Sequence, residues 1–456
     1  MGARNFEDGL PVDGPLYAHI SESLAKRSLA ASFSLRDAFR LTADLPDFQP
    51  SFVEHPPLGF WTLAAVFRFL PPADWSARIP GHFYYFGFLL LFFAWLRQRG
   101  ASSGAALVGC LLLLATPRFS NFFSAAYLDP GALFWGSLAV FLAAKRPGLA
   151  ALALFLCVLQ KGLTALGFAP ALVFTLWNQP GPRTRRLVTF LVLSALLFAL
   201  LAVALAFSTQ PDFVARHLDR QLAQRFAHNV SAVRFFNGHF WGRLLAEGWL
   251  LLLLGLAGIV QSFRARKLPG ALVPLLLFGS FVMLYAPNDR TGFQYGLMLF
   301  PWLAMLAVEG LFGNGSPLDR YAQILEQNLT SLSIGFLFVV AFIQYLPFPT
   351  HGNRTRPFLW ALEAATASSA AFETRQLPRD FTTASPYVWY GKMRISRYLA
   401  RDDEGAGFRC SKDESLLRLR DLDEDKQSLF PLKLSNGCCL STADTEVALY
   451  TFCADT

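Results

Sequence analysis

The sequence is poor in charge. Only 16% of its 456 residues are Asp, Glu, Lys or Arg, against about 25% in a soluble domain. So few charges cannot cover a water-facing surface on a chain of this length. It also lacks a glycine-rich phosphate loop following a strand, so no nucleotide-binding fingerprint is present and no nucleotide cofactor is expected. A nucleic-acid-binding face is missing too, although the net charge is +8. Most Lys and Arg outside the C-terminal segment sit in short loops between apolar runs. That distribution marks membrane topology rather than a surface that tracks phosphates, so no nucleic acid is expected as a partner. The first residues, Met1 to Asp8, hold no apolar core and do not read as a signal peptide. Because residues 1–79 are placed outside the membrane below, a further span upstream of Met1 is expected.

What the chain does have is apolar length. Hydrophobic residues make up 54% of it, with 45 phenylalanines. Runs of roughly the length that crosses a bilayer fall at 80–96, 101–116, 130–144, 148–159, 162–177, 187–207, 241–263, 268–286, 293–312 and 329–346. The run at 58–70 is too short to cross, contains Arg68 and ends at Pro71-Pro72. It reads as an amphipathic helix lying in the interface.

Charge between the runs sets the orientation. Arg97 and Arg99, Lys145 and Arg146, Arg183 with Arg185 and Arg186, Arg264 with Arg266 and Lys267, and Arg320 make every second connection basic and short. These connections are cytoplasmic by the positive-inside rule. The alternate ones, 1–79, 117–129, 160–161, 208–240, 287–292 and everything after about residue 347, then face outside. The expected fold class is an all-α polytopic membrane protein of about ten spans plus interfacial helices. Its parts are an external segment 1–79, a transmembrane domain 80–346 with a long external loop at 208–240, and a C-terminal extracytoplasmic domain 347–456.

Carboxylates, histidines and cations gather on the external side. Asp13 and Tyr17 lie in the first external segment, followed by Glu54-His55-Pro56-Pro57. Asp129 precedes Pro130 at the mouth of a span, and Lys161 sits in the tight Gln160-Lys161-Gly162 hairpin. His217, His228 and His239 lie in the long loop, and Asn288-Asp289-Arg290 in the next. Each has a plain structural reading. Asp129 can cap a helix, Lys161 can snorkel, Asp13 can serve a turn, and the histidines can be surface residues. An ionisable residue at a membrane boundary is nevertheless costly, which makes each a functional candidate. The cytoplasmic loops hold little beyond lysine and arginine, so chemistry is expected outside. Glu54, His55 and one of the three loop histidines are competent zinc ligands in kind, though their spacing is not local. Glu54 and His239 are the candidate metal ligands, for a divalent ion.

The order Asp-x-x-x-Tyr-Ala from Asp13, Glu54-His55-Pro56-Pro57-Leu58, Tyr127-Leu128-Asp129-Pro130, Lys161-Gly162, and Arg290 with Tyr295 resembles the GT-C glycosyltransferases. Within them it is most similar to the lipid A aminoarabinose transferase and the bacterial relatives of the protein O-mannosyltransferases. The resemblance implies an enzyme of a bacterial inner membrane with its site on the periplasmic face. Such an enzyme moves a sugar from a polyprenyl-phosphate donor to a lipid, glycan or protein acceptor, with inversion. It implies Asp13 as the general base, Asp129 as a second acid, and Glu54 as the acid of a Glu-Lys-Pro motif that can take part in metal binding. His55 stands where that motif has lysine. Arg290 and Tyr295 match the basic and tyrosine positions of a late span.

The chemistry is compatible with that assignment. Attack by a hydroxyl on an anomeric carbon needs a base. The departing phosphate needs fixed cations or a metal. Lys161 and Arg290 are the expected cations, with His55, Tyr17 and Tyr295 also placed at the donor phosphate. The 58–70 helix and the aromatic spans would supply a groove for membrane lipids and the carrier tail. A transporter is the main rival. Transporters concentrate ionisable groups within their spans and often show inverted repeats, whereas here Glu309 is the notable acid and no repeat is visible.

After about residue 350 the composition turns polar and holds Cys410, Cys438, Cys439 and Cys453. Disulfides suit an oxidising face. Adjacent Cys438 and Cys439 are expected to bond to Cys410 and Cys453 rather than to each other. The stretch from Val447 to Phe452 alternates and reads as a strand, within a small α+β domain.

Overall fold

The computed structural model describes residues 14–26, 55–116, 119, 123, 126–178, 182–206, 238–264, 268–286, 297–312, 318–328, 369–374, 394–400, 414–419, 438–443 and 447–452. The chain divides into two compact units. Residues 1–3, 53–59 and 78–348 form the first, and residues 4–52, 60–77 and 349–456 the second.

In the second unit, α1 (Gly14–Ala25) is buried along nearly its whole length. Helix α2 (Leu58–Phe69), whose first two residues belong to the first unit and the rest to the second, matches the short run expected to be helical. It buries Phe60, Leu63, Ala64 and Phe67, a spacing of three and four residues that makes one face. Tyr17 of α1 meets Phe60 of α2 edge-on, with ring centroids 5.6 Å apart. The C-terminal part of this unit carries five strands: β1 (Ser369–Thr374), β2 (Arg394–Ala400), β3 (Glu414–Leu419), β4 (Cys438–Ala443) and β5 (Val447–Phe452). They form one sheet in the order β2-β1-β3-β5-β4. Strand β1 is parallel to β2 and β3, while β5 is antiparallel to β3 and β4. The alternating stretch at 447–452 is thus a strand, as its pattern indicates. The helical half of the expected α+β domain does not appear among the described residues after 350. Cys438 is disulfide-bonded; Cys410 and Cys453, the partners expected for Cys438 and Cys439, lie outside the described residues, as does the side chain of Cys439.

The first unit is a helix bundle. Its elements are α3 (Ile79–Gln98), α4 (Ser103–Leu114), α5 (Asp129–Ala143), α6 (Pro147–Lys161), a 3-10 segment (Gly162–Phe168), α7 (Ala169–Asn178), α8 (Arg183–Ala206), α9 (Gly238–Arg264), α10 (Leu268–Tyr285), α11 (Phe300–Ala307) with a π-helical continuation (Val308–Phe312), and α12 (Asp319–Gln327). Nine of the ten expected apolar runs coincide with helical segments, and 329–346 lies outside the described residues.

The expected ten crossings are matched only in part by helix length among the described residues. Among the described residues, three runs are long and apolar enough to span: Asp74–Gln98, Pro147–Asn178 and Arg183–Val203. The pair Phe240–Ala246 and Gly248–Arg264, bent by 88°, makes a fourth if taken as one. Helix α4 has 12 residues, about 18 Å, well short of a hydrocarbon core of about 30 Å. The reason is that hydropathy does not sense winding. Apolar sequence continues through 3-10 and π segments and through breaks that end an α-helix.

The run 147–178 is itself two pieces. Gly162 has φ 57° and ψ −125°, a combination open to glycine and costly for other residues. Beyond it the chain turns back. Gln160 lies against Gly131 of α5, whereas Phe168 lies against Gly136. Between these two points the chain has therefore moved about 7 Å down α5, not away from its end. The hairpin expected at 160–161 is present. Helix α8 runs parallel to α6, because Gly148 faces Leu193 and Phe155 faces Phe198. The alternation expected from the basic loops holds through this stretch.

Packing follows membrane rules. In lipid, helices gain little from hiding apolar area and associate through close contact of small residues. Helix α9 buries Gly248, Leu251, Gly255, Gly258 and Ser262 on one stripe. A Cβ on Gly258 would lie 2.2 Å from the Leu306 carbonyl oxygen, and one on Gly310 would lie 2.2 Å from that of Gly258. At the bundle centre Trp302 is fully buried, edge-on to Trp95 at 5.8 Å and to Phe168 at 6.3 Å. Helix α8 exposes Val188, Leu191, Val192, Leu196, Leu200 and Val203. A face of that composition belongs against lipid, and the chain is an integral membrane protein. Past the end of α3, Arg99 forms a forked pair with Glu309 of the π segment: Nη2 donates to Oε2 at 3.1 Å and Nε donates to Oε1.

Candidate active site

Helices α5 and α6 are the most closely associated pair of the bundle and run antiparallel. The Cys157 thiol points at the Ala132 carbonyl at 3.3 Å, and Gln160 Nε2 donates to the Leu128 carbonyl at 3.3 Å. The start of α5 and the end of α6 therefore stand side by side. Helix α5 begins at Asp129-Pro130, where proline suits the first turn because its missing N–H had no helical partner to lose. Ala126, three residues earlier, has φ 58°. That left-handed conformation costs a non-glycine residue about 1–2 kcal/mol. Such strain gathers at sites where surrounding structure holds the backbone to a task.

At this junction Lys161 Nζ forms an ion pair with Asp129 Oδ2. The two side chains are 6% and 2% exposed. This excludes both plain readings. Asp129 is not the cap of α5: Leu128 occupies that position, and no side chain caps the helix there. Lys161 does not snorkel, because a snorkelling lysine keeps its ammonium in water. Desolvating two charges costs several kcal/mol per ion before their attraction returns any of it. A buried pair is thus weak evidence for stability and better evidence for a task. Asp129 Oδ1, also buried, has no hydrogen-bond partner among the described residues. One carboxylate oxygen is tied to the lysine, and the other is an acceptor open to a ligand donor.

Two further elements close on this corner. Tyr84 of α3 donates from its hydroxyl to Gln160 Oε1 at 3.5 Å. Gly131 and Gly59 leave the space that the Gln160 amide fills. A Cβ on Gly131 would come 2.5 Å from Gln160 Nε2, and one on Gly59 would come 3.0 Å from it and 2.3 Å from Leu128 Cδ2. The His55-Pro56-Pro57-Leu58-Gly59 segment is thereby brought against the Asp129–Lys161 corner through its last residue. His55 itself is half-buried.

The other expected site residues are placed as follows. Tyr17 is buried in α1 of the second unit. Asp13, Glu54, Arg290, Tyr295, His217 and His228 lie outside the described residues. His239 falls in α9, and its side chain lies outside them too. The metal expectation on Glu54 and His239 lies outside for the same reason. Among the described residues, no three His, Cys, Asp or Glu side chains are grouped to hold an ion.

The sequence reading missed Gln160, Tyr84, Gly59 and Gly131. Gln160 had a signal, a polar residue beside the lysine in an apolar hairpin. The two glycines and the tyrosine had none, because their meaning depends on a side chain far away in sequence.

No protein-family model matches the sequence, and no curated protein matches it. The fold does have solved neighbours. The crystal structure of ArnT from Cupriavidus metallidurans bound to undecaprenyl phosphate superposes with a TM-score of 0.65 at 14% identity, covering 97% of this chain and 94% of the neighbour. The apo structure of the same protein gives 0.63 at 15% identity, with the same coverage. ArnT is the lipid A aminoarabinose transferase, a GT-C fold glycosyltransferase. The resemblance read from scattered motifs therefore holds at the level of the fold across nearly the whole chain.

Proposed function

We propose that this chain is an inverting membrane glycosyltransferase that takes its sugar from a polyprenyl-phosphate-linked donor. It passes the sugar to a lipid, glycan or protein acceptor on the extracytoplasmic face of a bacterial inner membrane. The observation that carries the reading is the ArnT-like fold, one of whose solved examples holds undecaprenyl phosphate. The buried Asp129–Lys161 pair gives that reading a location. The domain division into an external segment, a transmembrane part and a C-terminal extracytoplasmic part belongs to the same proposal.

The reaction makes one bond and breaks one. The acceptor oxygen bonds to the anomeric carbon as the bond from that carbon to the phosphate oxygen breaks. The electron pair leaves with the polyprenyl phosphate, and the acceptor proton passes to a base. Asp13 is the residue proposed for that base, a role worth about 100-fold to 10,000-fold. Lys161 and Arg290 are proposed to face the departing phosphate, with His55, Tyr17 and Tyr295 around it. Asp129 holds the Lys161 ammonium in place and keeps its second oxygen open to a sugar hydroxyl. Because Lys161 is already paired, its charge is oriented before the donor arrives, which is how fixed charges stabilise a transition state without reorganising. Glu54 and His239 are retained as the residues that would hold a divalent ion, and no step is assigned to it.

The test is mass spectrometry of lipid A, surface glycans and secreted proteins from cells with and without the gene. A sugar modification that disappears with the gene and returns with it supports the reading. Asp13→Asn, expressed and folded normally, is expected to lose the modification. Normal modification in that variant would remove Asp13 as the base, and no difference between the two strains would favour a transporter or a lipid-handling protein.

A further inference from the structure

Gln160 is a polar residue at this corner that the reaction above does not use. It is 1% exposed and lies in the last turn of α6, next to Lys161. Its amide joins three parts of the chain that are distant in sequence. Nε2 donates to the carbonyl of Leu128, the residue before Asp129, at 3.3 Å. Oε1 accepts from the Tyr84 hydroxyl on α3 at 3.5 Å. Its flat face fits where Gly59 and Gly131 have no side chain. The Leu128 carbonyl already accepts from Ala132 N in the first turn of α5, so the Gln160 bond is a second one that fixes the same peptide. A glutamine suits this place because it donates with one end and accepts with the other while carrying no charge. An apolar chain of the same length would forfeit both contacts, and a carboxylate would face the Leu128 carbonyl without a donor.

We propose that Gln160 is a positioning residue that sets the Asp129–Lys161 pair against the His55–Gly59 segment. It holds Asp129 through the preceding peptide and Lys161 through the shared helical turn, and touches neither donor nor acceptor. The catalytic consequence rests on the glycosyltransferase reading. The geometric consequence does not. Loss of the Gln160 amide leaves the pair buried on average but free to open, so the Lys161 amine is expected to become reactive and turnover to fall more than donor affinity.

The experiment uses the full chain in detergent or nanodiscs, as wild type, Gln160→Met, Gln160→Glu and Gly131→Ala. Gln160→Met keeps the length and removes both polar contacts. Gln160→Glu keeps an acceptor for Tyr84 and removes the donor to Leu128. Gly131→Ala leaves Gln160 in place but pushes on its amide, and serves if Gln160→Met does not fold. An amine-acylating reagent is applied and labelling at Lys161 is read by peptide mass spectrometry. Transfer from a polyprenyl-phosphate-linked sugar and binding of undecaprenyl phosphate are measured alongside.

The expected result is a Lys161 protected in the wild type and labelled at least about tenfold faster in Gln160→Met. Turnover should drop about tenfold or more with undecaprenyl phosphate binding changed less than about threefold, the split expected when orientation is lost. Gln160→Glu and Gly131→Ala should fall between. Lys161 labelling unchanged across all three variants would overturn the positioning role, whatever the activity. Faster Lys161 labelling in the variants, in a protein whose wild type transfers no sugar from such donors, would uphold it and remove the glycosyltransferase reading instead.

Discussion

At one end of the bundle Lys161 meets Asp129 through a single carboxylate oxygen, and at the other Arg99 meets Glu309 through both. Helix α3 ties the two ends together. Tyr84 in its second turn bonds Gln160 beside the first pair, and Arg99 follows its last residue. The two regions are therefore separated by about 22 Å of helix. The arginine pair is a closed fork, with two parallel bonds of the kind guanidinium geometry favours. It joins α3 to the π segment after α11 and leaves both acid oxygens occupied. The lysine pair is more deeply buried, has a strained residue close by at Ala126, and keeps Asp129 Oδ1 without a partner among the described residues. Burial alone does not make an ion pair functional. An unsatisfied atom held in place by well-satisfied neighbours points to a ligand, whereas full satisfaction points to a joint.

The largest expected effect separates the pairs by activity. Asp129→Asn should lower sugar transfer by about 100-fold or more, the scale of losing a fixed electrostatic group. Removing one partner of a buried pair also destabilises, by about 3–5 kcal/mol. The double variant Asp129→Asn/Lys161→Met should recover much of the lost thermal midpoint while staying inactive. Recovery of activity in the double variant would put this pair in the same class as Arg99–Glu309.

The next effect comes from the other end. Arg99→Met leaves the mostly buried Glu309 carboxylate unpaired by Arg99, and should cost about 2 kcal/mol, less than a fully buried pair because both side chains keep some exposure. Thermal unfolding in detergent checks it. Activity per folded molecule should stay within about twofold of the wild type, as for a site remote from chemistry. A tenfold loss of activity would show that the two ends are coupled.

The smallest effect probes the packing between them. Gly258→Val forces α9 away from α11 and should destabilise by about 1–3 kcal/mol, again with little change in transfer by the folded fraction. A variant as stable as the wild type would mean that the close approach of Gly258 to the Leu306 carbonyl is not needed.

Much of the bundle was legible in sequence. Apolar length located nine helical segments, and the basic loops predicted the alternation that the Gly148–Leu193 and Phe155–Phe198 contacts follow. The alternating stretch at 447–452 is a strand. The ends of the α-helices were not legible, because a hydropathy window reads the same through an α-helix, the 3-10 segment at 162–168 and the π segment at 308–312. At the site, Asp129 and Lys161 stood out as ionisable residues at span mouths, yet each had an innocent explanation that only geometry removed.

By itself the sequence determined that this chain lives in a membrane, which side of each loop is basic, and which polar residues stand at the mouths of its spans. Those are properties of local composition, and solvation by lipid enforces them segment by segment. Tertiary structure alone decided that Asp129 and Lys161 are partners, that Gln160 fills the space left by Gly59 and Gly131, and that Arg99 closes on Glu309. Each is a meeting of side chains from separate elements. Composition can permit such meetings, but only the packed backbone, with its break at Gly162 and its close helix contacts, brings them within hydrogen-bonding distance.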